Sequence, residues 1–169
     1  MLARQGSSQP LWKDPMTLAI IVLLVFATAS SGAIFKPGDW YDSLERPDWT
    51  PKNWVFPVVW TVLYIMIAFA GWLVFSAEGL GLAMVIWGAQ LVLNAAWSWL
   101  FFGMRRMDFA LMDIGALLAS IFAFMVAASM VSVLAAVLFV PYALWVMTAG
   151  YLNYRMIRLN PDQVPARAG

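Results

Sequence analysis

The sequence predicts an all-α integral membrane protein, a bundle of five transmembrane helices with a long lid-like loop between helices 1 and 2. Three observations carry that expectation. Of the 169 residues 63% are hydrophobic and only 11% charged, with a mean hydropathy of +0.79, so the chain holds more apolar surface than a water-facing shell could hide. The apolar residues fall into five charge-poor runs, 16–35, 54–76, 82–102, 109–129 and 133–157, each long enough as a helix to cross about 30 Å of hydrocarbon. One stretch, 36–53, is too aromatic for a solvated loop and too rich in proline for a helix.

Residues 1–15 form an N-terminal tail with Gly6, Pro10 and Pro15, lacking the pattern of a secretory leader. The first span ends in small residues, among them Ala29, Gly32 and Ala33, which let a backbone or a flat ligand come close. In 36–53, Pro37, Gly38, Pro47 and Pro51 break periodic structure, while Trp40, Tyr41, Leu44 and Trp49 supply apolar area. This segment is expected to fold back over the bundle as a lid. The second span carries Pro57 in its first turn, where a missing amide hydrogen costs little, and Glu78, Gly79 and Gly81 read as a turn.

Residues 103–108 read as a charged turn, and Asp113, one turn into the fourth span, is expected to pair with Arg105 or Arg106 or to snorkel toward them, in preference to the alternative of a proton relay. The stripe Gly115, Ala119, Ala123, Ala127 suits either dimerisation or close packing within the bundle. Pro141 predicts a kink in the fifth span, and 158–169 forms a C-terminal tail with Pro161 and Pro165.

An odd number of spans puts the termini on opposite sides, so basic residues can be counted by side. Lys36, Arg46, Lys52, Arg105, Arg106, Arg155, Arg158 and Arg167 fall on one side, and only Arg4 and Lys13 on the other. The N-terminus is therefore expected outside, with the first loop and the C-terminus cytoplasmic. A net charge of +1 with no basic cluster excludes nucleic acid as a partner. With no His and no Cys there is no expected metal, zinc site, disulfide, thiol nucleophile or imidazole base, the usual haem axial ligands are missing with only Met or Tyr left as weak candidates, and no cofactor is expected. No Ser is placed with a base, and neither a phosphate-cradling Gly loop nor paired carboxylates are present, so no catalytic residues are expected for acid–base or nucleophilic work. One chemistry survives that filter. Indole rings packed against a photoactive pigment can be oxidised or can quench it, and Trp60 and Trp145 would be those rings.

Helical spacing gathers Pro57, Trp60, Thr61, Tyr64 and Ala68 on one face of the second helix. Gln90, Asn94 and Trp97 share a face of the third, and Trp145, Ala149 and Leu152 a face of the fifth. Together they describe an apolar slot with a few hydrogen-bonding groups, suited to a large, flat, hydrophobic ligand. The plainer reading makes Trp12, Trp72, Trp87 and Trp99 interfacial anchors or core filler, and lets Gln90 and Asn94 simply glue helices together.

From about residue 32 to 160 the chain resembles the TspO/MBR family, the tryptophan-rich sensory proteins of bacteria and the mitochondrial translocator protein, also called the peripheral-type benzodiazepine receptor. The resemblance rests on WYDSLERPDWTP at 40–51, FPVVWTVLY at 56–64, QLVLNAAW at 90–97, FFGMRRMDFALMD at 101–113, VPYALW at 140–145 and LNYRMIRLN at 152–160. It implies a five-helix bundle in a lipid bilayer, a homodimer, and a pocket under the first loop for porphyrins such as protoporphyrin IX, sterols and benzodiazepine-type compounds. Carried over by motif, ligand-binding positions are Ala33, Tyr41, Trp60, Tyr64, Asn94, Trp97, Trp145 and Ala149, and the sterol motif falls on Leu152, Tyr154, Arg155 and Arg158. The chain departs from the pattern at Lys52, where many members carry a second proline, and at Gly150 and Tyr151. The expected function is a membrane receptor or translocator for porphyrins, in a bacterial cell membrane. Its rivals are light- or oxygen-dependent porphyrin degradation and a ligand-free membrane scaffold.

Overall fold

The computed structural model describes residues 15–163. The expectations placed on 1–14 and 164–169, including those for Arg4, Trp12, Lys13, Pro165 and Arg167, lie outside the described residues. The elements in order are α1 (Pro15–Ile34), a single-turn α2 (Asp39–Asp42), α3 (Val55–Glu78), α4 (Leu82–Ser98) continuing into a π-helical turn (Trp99–Gly103), α5 (Met107–Ser129), α6 (Val133–Leu138), α7 (Val140–Leu159) and a 3₁₀ turn (Pro161–Gln163). Five stretches are long and apolar enough to cross a membrane: Pro15–Ile34, Val55–Glu78, Leu82–Gly103, Met107–Ser129 and Val133–Leu159. Their outward side chains are apolar as well, with Leu23, Phe26, Ile65, Val92 and Val126 all exposed, as lipid rather than water as solvent requires.

Packing follows from where small residues let helices approach. α4 lies against α1, α3 and α5, and α5 in turn against α6 and α7. Trp87 on α4 is fully buried and its indole N–H donates to the Ile67 carbonyl on α3 at 3.0 Å. That contact requires Gly71, since a Cβ there would sit 2.5 Å from Trp87 Cε2. At Gly150 on α7 a Cβ would lie 2.9 Å from Ile114 Cγ2 of α5, so this glycine lets α7 press onto α5.

The fifth span breaks at Phe139 between α6 and α7, with Pro141 in the first turn of α7 where it needs no backbone donor. Phe139 is fully buried, 4.1 Å from the Phe124 ring. Both halves of the span pack on α5, and α6 packs on α3 as well, so the fifth span lies close against α3 along α6 and less closely along α7. The site occupies the end where α3 and α7 diverge.

Four expectations are corrected. Glu78 is helical, and the turn starts at Gly79, whose φ of 70° suits glycine. α5 begins at Met107, which places Asp108 in its first turn and not in the loop. The carboxylate that pairs with the loop arginine is therefore Asp108, bound by Arg106 through Nε at 2.8 Å and Nη2 at 2.6 Å. Asp113 makes no ion pair, and its Oδ2 is buried without a hydrogen-bond partner. Finally, Gly115, Ala119 and Ala123 lie exposed on the outer face of α5, so the small-residue stripe is not a seam inside the bundle.

Candidate functional site

The segment between α1 and α3 lies across the open end. Its single helical turn α2 directs Tyr41 inward, and Leu44 follows; each is only 5% exposed. Tyr41 meets the rings of Phe101 and Phe102 edge-on at 6.2 and 5.5 Å, and Trp40 meets Phe101 at 5.9 Å. Trp49 stacks on Tyr151 of α7 at 5.5 Å. Arg46 covers the Tyr41 ring at 5.0 Å. Polar bonds hold the lid to the end of α7. The Glu45 amide donates to Asn160 Oδ1 at 2.9 Å, Asn160 Nδ2 donates to the Glu45 carbonyl at 2.8 Å, and Trp40 Nε1 donates to Gln163 Oε1 at 3.2 Å. Trp54, 64% exposed, stands at the start of α3 as an interfacial anchor would.

Beneath the lid is a cavity of about 560 Å³, within the size range of small-molecule sites. Ala29, Gly32 and Ala33 of α1 form one side, and Phe56, Pro57, Trp60, Thr61 and Tyr64 of α3 the next. Asn94, Trp97 and Ser98 of α4 form the floor with Phe101 and Phe102, and Ala149, Leu152, Asn153 and Met156 of α7 close the far side. Trp60 and Tyr64, one turn apart, stack at 5.3 Å. The π-helical turn widens the end of α4 so that two consecutive residues, Phe101 and Phe102, both face inward, with Trp97 stacked on Phe101 at 5.2 Å. Insertions of this kind recur at functional sites because they re-aim side chains that a regular helix would send apart.

A polar thread runs along the floor. The Tyr64 hydroxyl donates to Asn94 Oδ1 at 2.9 Å, Asn94 Nδ2 donates to the Tyr142 hydroxyl at 2.8 Å, and that hydroxyl donates to Gln90 Oε1 at 3.0 Å. Gln90 and Tyr142 are wholly buried, and the thread answers the cost of placing amides in an apolar interior. It leaves donors over. Gln90 Nε2, Trp97 Nε1 and Trp145 Nε1 are buried without a hydrogen-bond partner.

Seven of the eight expected ligand positions, Ala33, Tyr41, Trp60, Tyr64, Asn94, Trp97 and Ala149, line this one cavity. Trp145 stands one step behind it, in an annex of about 30 Å³ that it shares with Phe56, Trp60, Asn94 and Trp97. The Phe56 ring meets Trp145 edge-on at 5.7 Å. The sterol-motif residues do not share a surface: Leu152 is buried against the cavity, whereas Tyr154 and Arg158 are exposed and Arg155 is half-buried. Sequence reasoning missed Phe56, Phe101, Phe102 and Met156 as wall and Tyr142 as the centre of the polar thread. Tyr142 lies three residues before Trp145, a helical spacing that could have placed it on the same face. Among the described residues no cluster of His, Cys, Asp or Glu could hold a metal ion.

A five-span apolar bundle with a lidded, aromatic, small-molecule-sized cavity at one end defines an integral multi-pass membrane protein with an internal cavity. The chain belongs to the TspO/MBR family, which it matches over residues 18–159. It is 42% identical over 142 residues to the tryptophan-rich sensory protein of Cereibacter sphaeroides, covering 84% of this chain and 90% of that one. It is 39% identical over 155 residues to protein CrtK of Rhodobacter capsulatus, covering 89% and 97%. To the translocator protein of Bos taurus it is 37% identical over 138 residues, covering 76% and 81%.

Proposed function

We propose that this protein is a membrane receptor or translocator that holds a porphyrin of the protoporphyrin type, with sterols as a second ligand class, in the cavity beneath the lid. The observation that carries the reading is the cavity itself. It is about 560 Å³ in volume and is walled by the Trp60–Tyr64 stack on one side and by Trp97 with Phe101 on another. Stacked rings offer a large flat ligand dispersion along both faces. The names of the relatives, a tryptophan-rich sensory protein and a translocator protein, support the receptor or translocator role. The balance of basic residues supports a cytoplasmic lid, and the bacterial relatives a bacterial cell membrane. The exposed Gly115, Ala119 and Ala123 face of α5 supports a homodimer. Titrating protoporphyrin IX into the purified protein tests the reading: saturable quenching of tryptophan fluorescence, weakened by Trp60→Ala, is the expected result. Identical curves for wild type and variant would sink it.

A second reading has its own observation. Trp60 borders both the cavity and the annex that holds Trp145, so an electron removed from one indole by an excited pigment has a second indole beside it. Illuminating the porphyrin complex in air distinguishes the two. Pigment loss no faster than with free tryptophan in detergent eliminates the degradative reading.

A further inference from the structure

The cavity wall has a sealed part and an open part. The residues that both line it and are exposed are Gly32 and Ala33 at the end of α1, Pro57 and Thr61 at the start of α3, and Pro37 and Asn53 at the two ends of the lid. Every lining residue contributed by α4, the π-helical turn, α7 and the middle of the lid is buried or half-buried. The cavity therefore opens sideways, between α1 and α3, and not upward through the lid, which Asn160 ties to α7. At Gly32 a side chain would meet nothing within 4 Å, so the gap is unfilled there. The rim lies in the last turn of α1 and the first two turns of α3, within about 10 Å of the membrane surface.

Two cations flank this rim. Lys36 precedes Pro37 and Lys52 precedes Asn53. Both are exposed, and the one ion pair among the described residues, Arg106 with Asp108, involves neither. Asp39, Asp42, Glu45 and Asp48 stand on the same lid without pairing with them. A lysine at the headgroup level can extend its stem along apolar surface and keep its ammonium at the interface.

We infer that the cavity is loaded sideways from the lid-side leaflet through the mouth between α1 and α3, by a membrane-partitioned amphiphile whose carboxylate end is received by Lys36 and Lys52. The inference rests on the ligand-binding reading and adds to it a route and a ligand charge. The apolar body slides in at the depth where such a molecule already resides, and the anionic end never leaves the interface. Neither requires the lid to open.

The test uses the full chain in phosphatidylcholine vesicles, with protoporphyrin IX and its dimethyl ester as probes and tryptophan quenching followed by stopped flow. For the wild type the association rate follows the porphyrin-to-lipid ratio when the aqueous volume is changed. Gly32→Leu slows association by about tenfold by obstructing the mouth, and Asn160→Ala does not accelerate it. Lys36→Gln with Lys52→Gln weakens the diacid by about fivefold and leaves the ester unchanged, as two exposed charge contacts would. A rate that tracks aqueous concentration, or one that rises in Asn160→Ala and is indifferent to Gly32→Leu, overturns lateral loading while saturable binding still stands. Equal loss for acid and ester, or no loss for either, overturns the lysine assignment. If neither probe binds the wild type saturably, the ligand-binding reading falls and this inference falls with it.

Discussion

Asn94 on α4 and Tyr142 on α7 face each other in the core, the amide nitrogen donating to the phenol oxygen at 2.8 Å. Since Tyr142 donates onward to Gln90 and Asn94 accepts from Tyr64, this contact joins α3, α4 and α7 beneath the cavity. The direction of every bond in the thread is set once Tyr142 has given its only proton to Gln90.

Tyr142→Phe should therefore destabilise the bundle more than loss of one neutral bond implies. It leaves Asn94 Nδ2 and Gln90 Oε1 both unpartnered in a buried site, a cost of about 1–3 kcal/mol. Thermal unfolding in detergent reads this directly. A midpoint equal to wild type would mean that the thread contributes nothing to stability.

Gly71→Ala places a methyl 2.5 Å from Trp87 and must displace the indole from its bond to Ile67. The expected loss is about 1–3 kcal/mol, as for other overpacked cores, with a change in tryptophan emission. Gly88→Ala, where a Cβ meets nothing within 4 Å, is the matched control and should leave both unaltered.

Asn160→Ala removes both side-chain bonds to Glu45 and leaves Trp40 and Trp49 as the remaining ties of the lid to the C-terminal end. Hydrogen exchange in 39–53 should speed up while exchange in α5 stays as in wild type, because local opening draws on few contacts. Exchange unchanged in the lid would show that the aromatic contacts alone hold it.

Trp97→Ala and Trp145→Ala should differ. Trp97 lines the main cavity, whereas Trp145 reaches only the annex behind Phe56. Porphyrin affinity measured by a non-tryptophan readout, such as the pigment's own absorbance, should fall by about tenfold for Trp97→Ala and by less for Trp145→Ala. The reverse order would place the ligand deeper, in the annex.

Much of this was legible in the residues. The apolar runs had to be membrane helices because nothing else satisfies their backbone in lipid, and the face spacing of Trp60 with Tyr64, and of Gln90 with Asn94 and Trp97, holds in any α-helix. The aromatic content of 36–53 marked it as a covering segment. Other features depended on long-range contacts. Asp113 was expected to meet a nearby arginine, yet the turn that starts α5 at Met107 brought Asp108 to Arg106 first. Phe101 and Phe102 face inward together because of a π-helical turn that local spacing does not predict.

By itself the sequence determined the solvent of this protein, its five spans, its lid and the polar faces that must turn inward, since these follow from hydropathy and from the helical repeat. Tertiary structure alone decided that the span broken at Phe139 packs on α5 along both halves but closely on α3 only along α6, leaving the cavity where α3 and α7 diverge. It also decided that Asn160 fastens the lid and that the gap faces α1 and α3. Those outcomes depend on which helices meet, and no pattern within one helix records its neighbour.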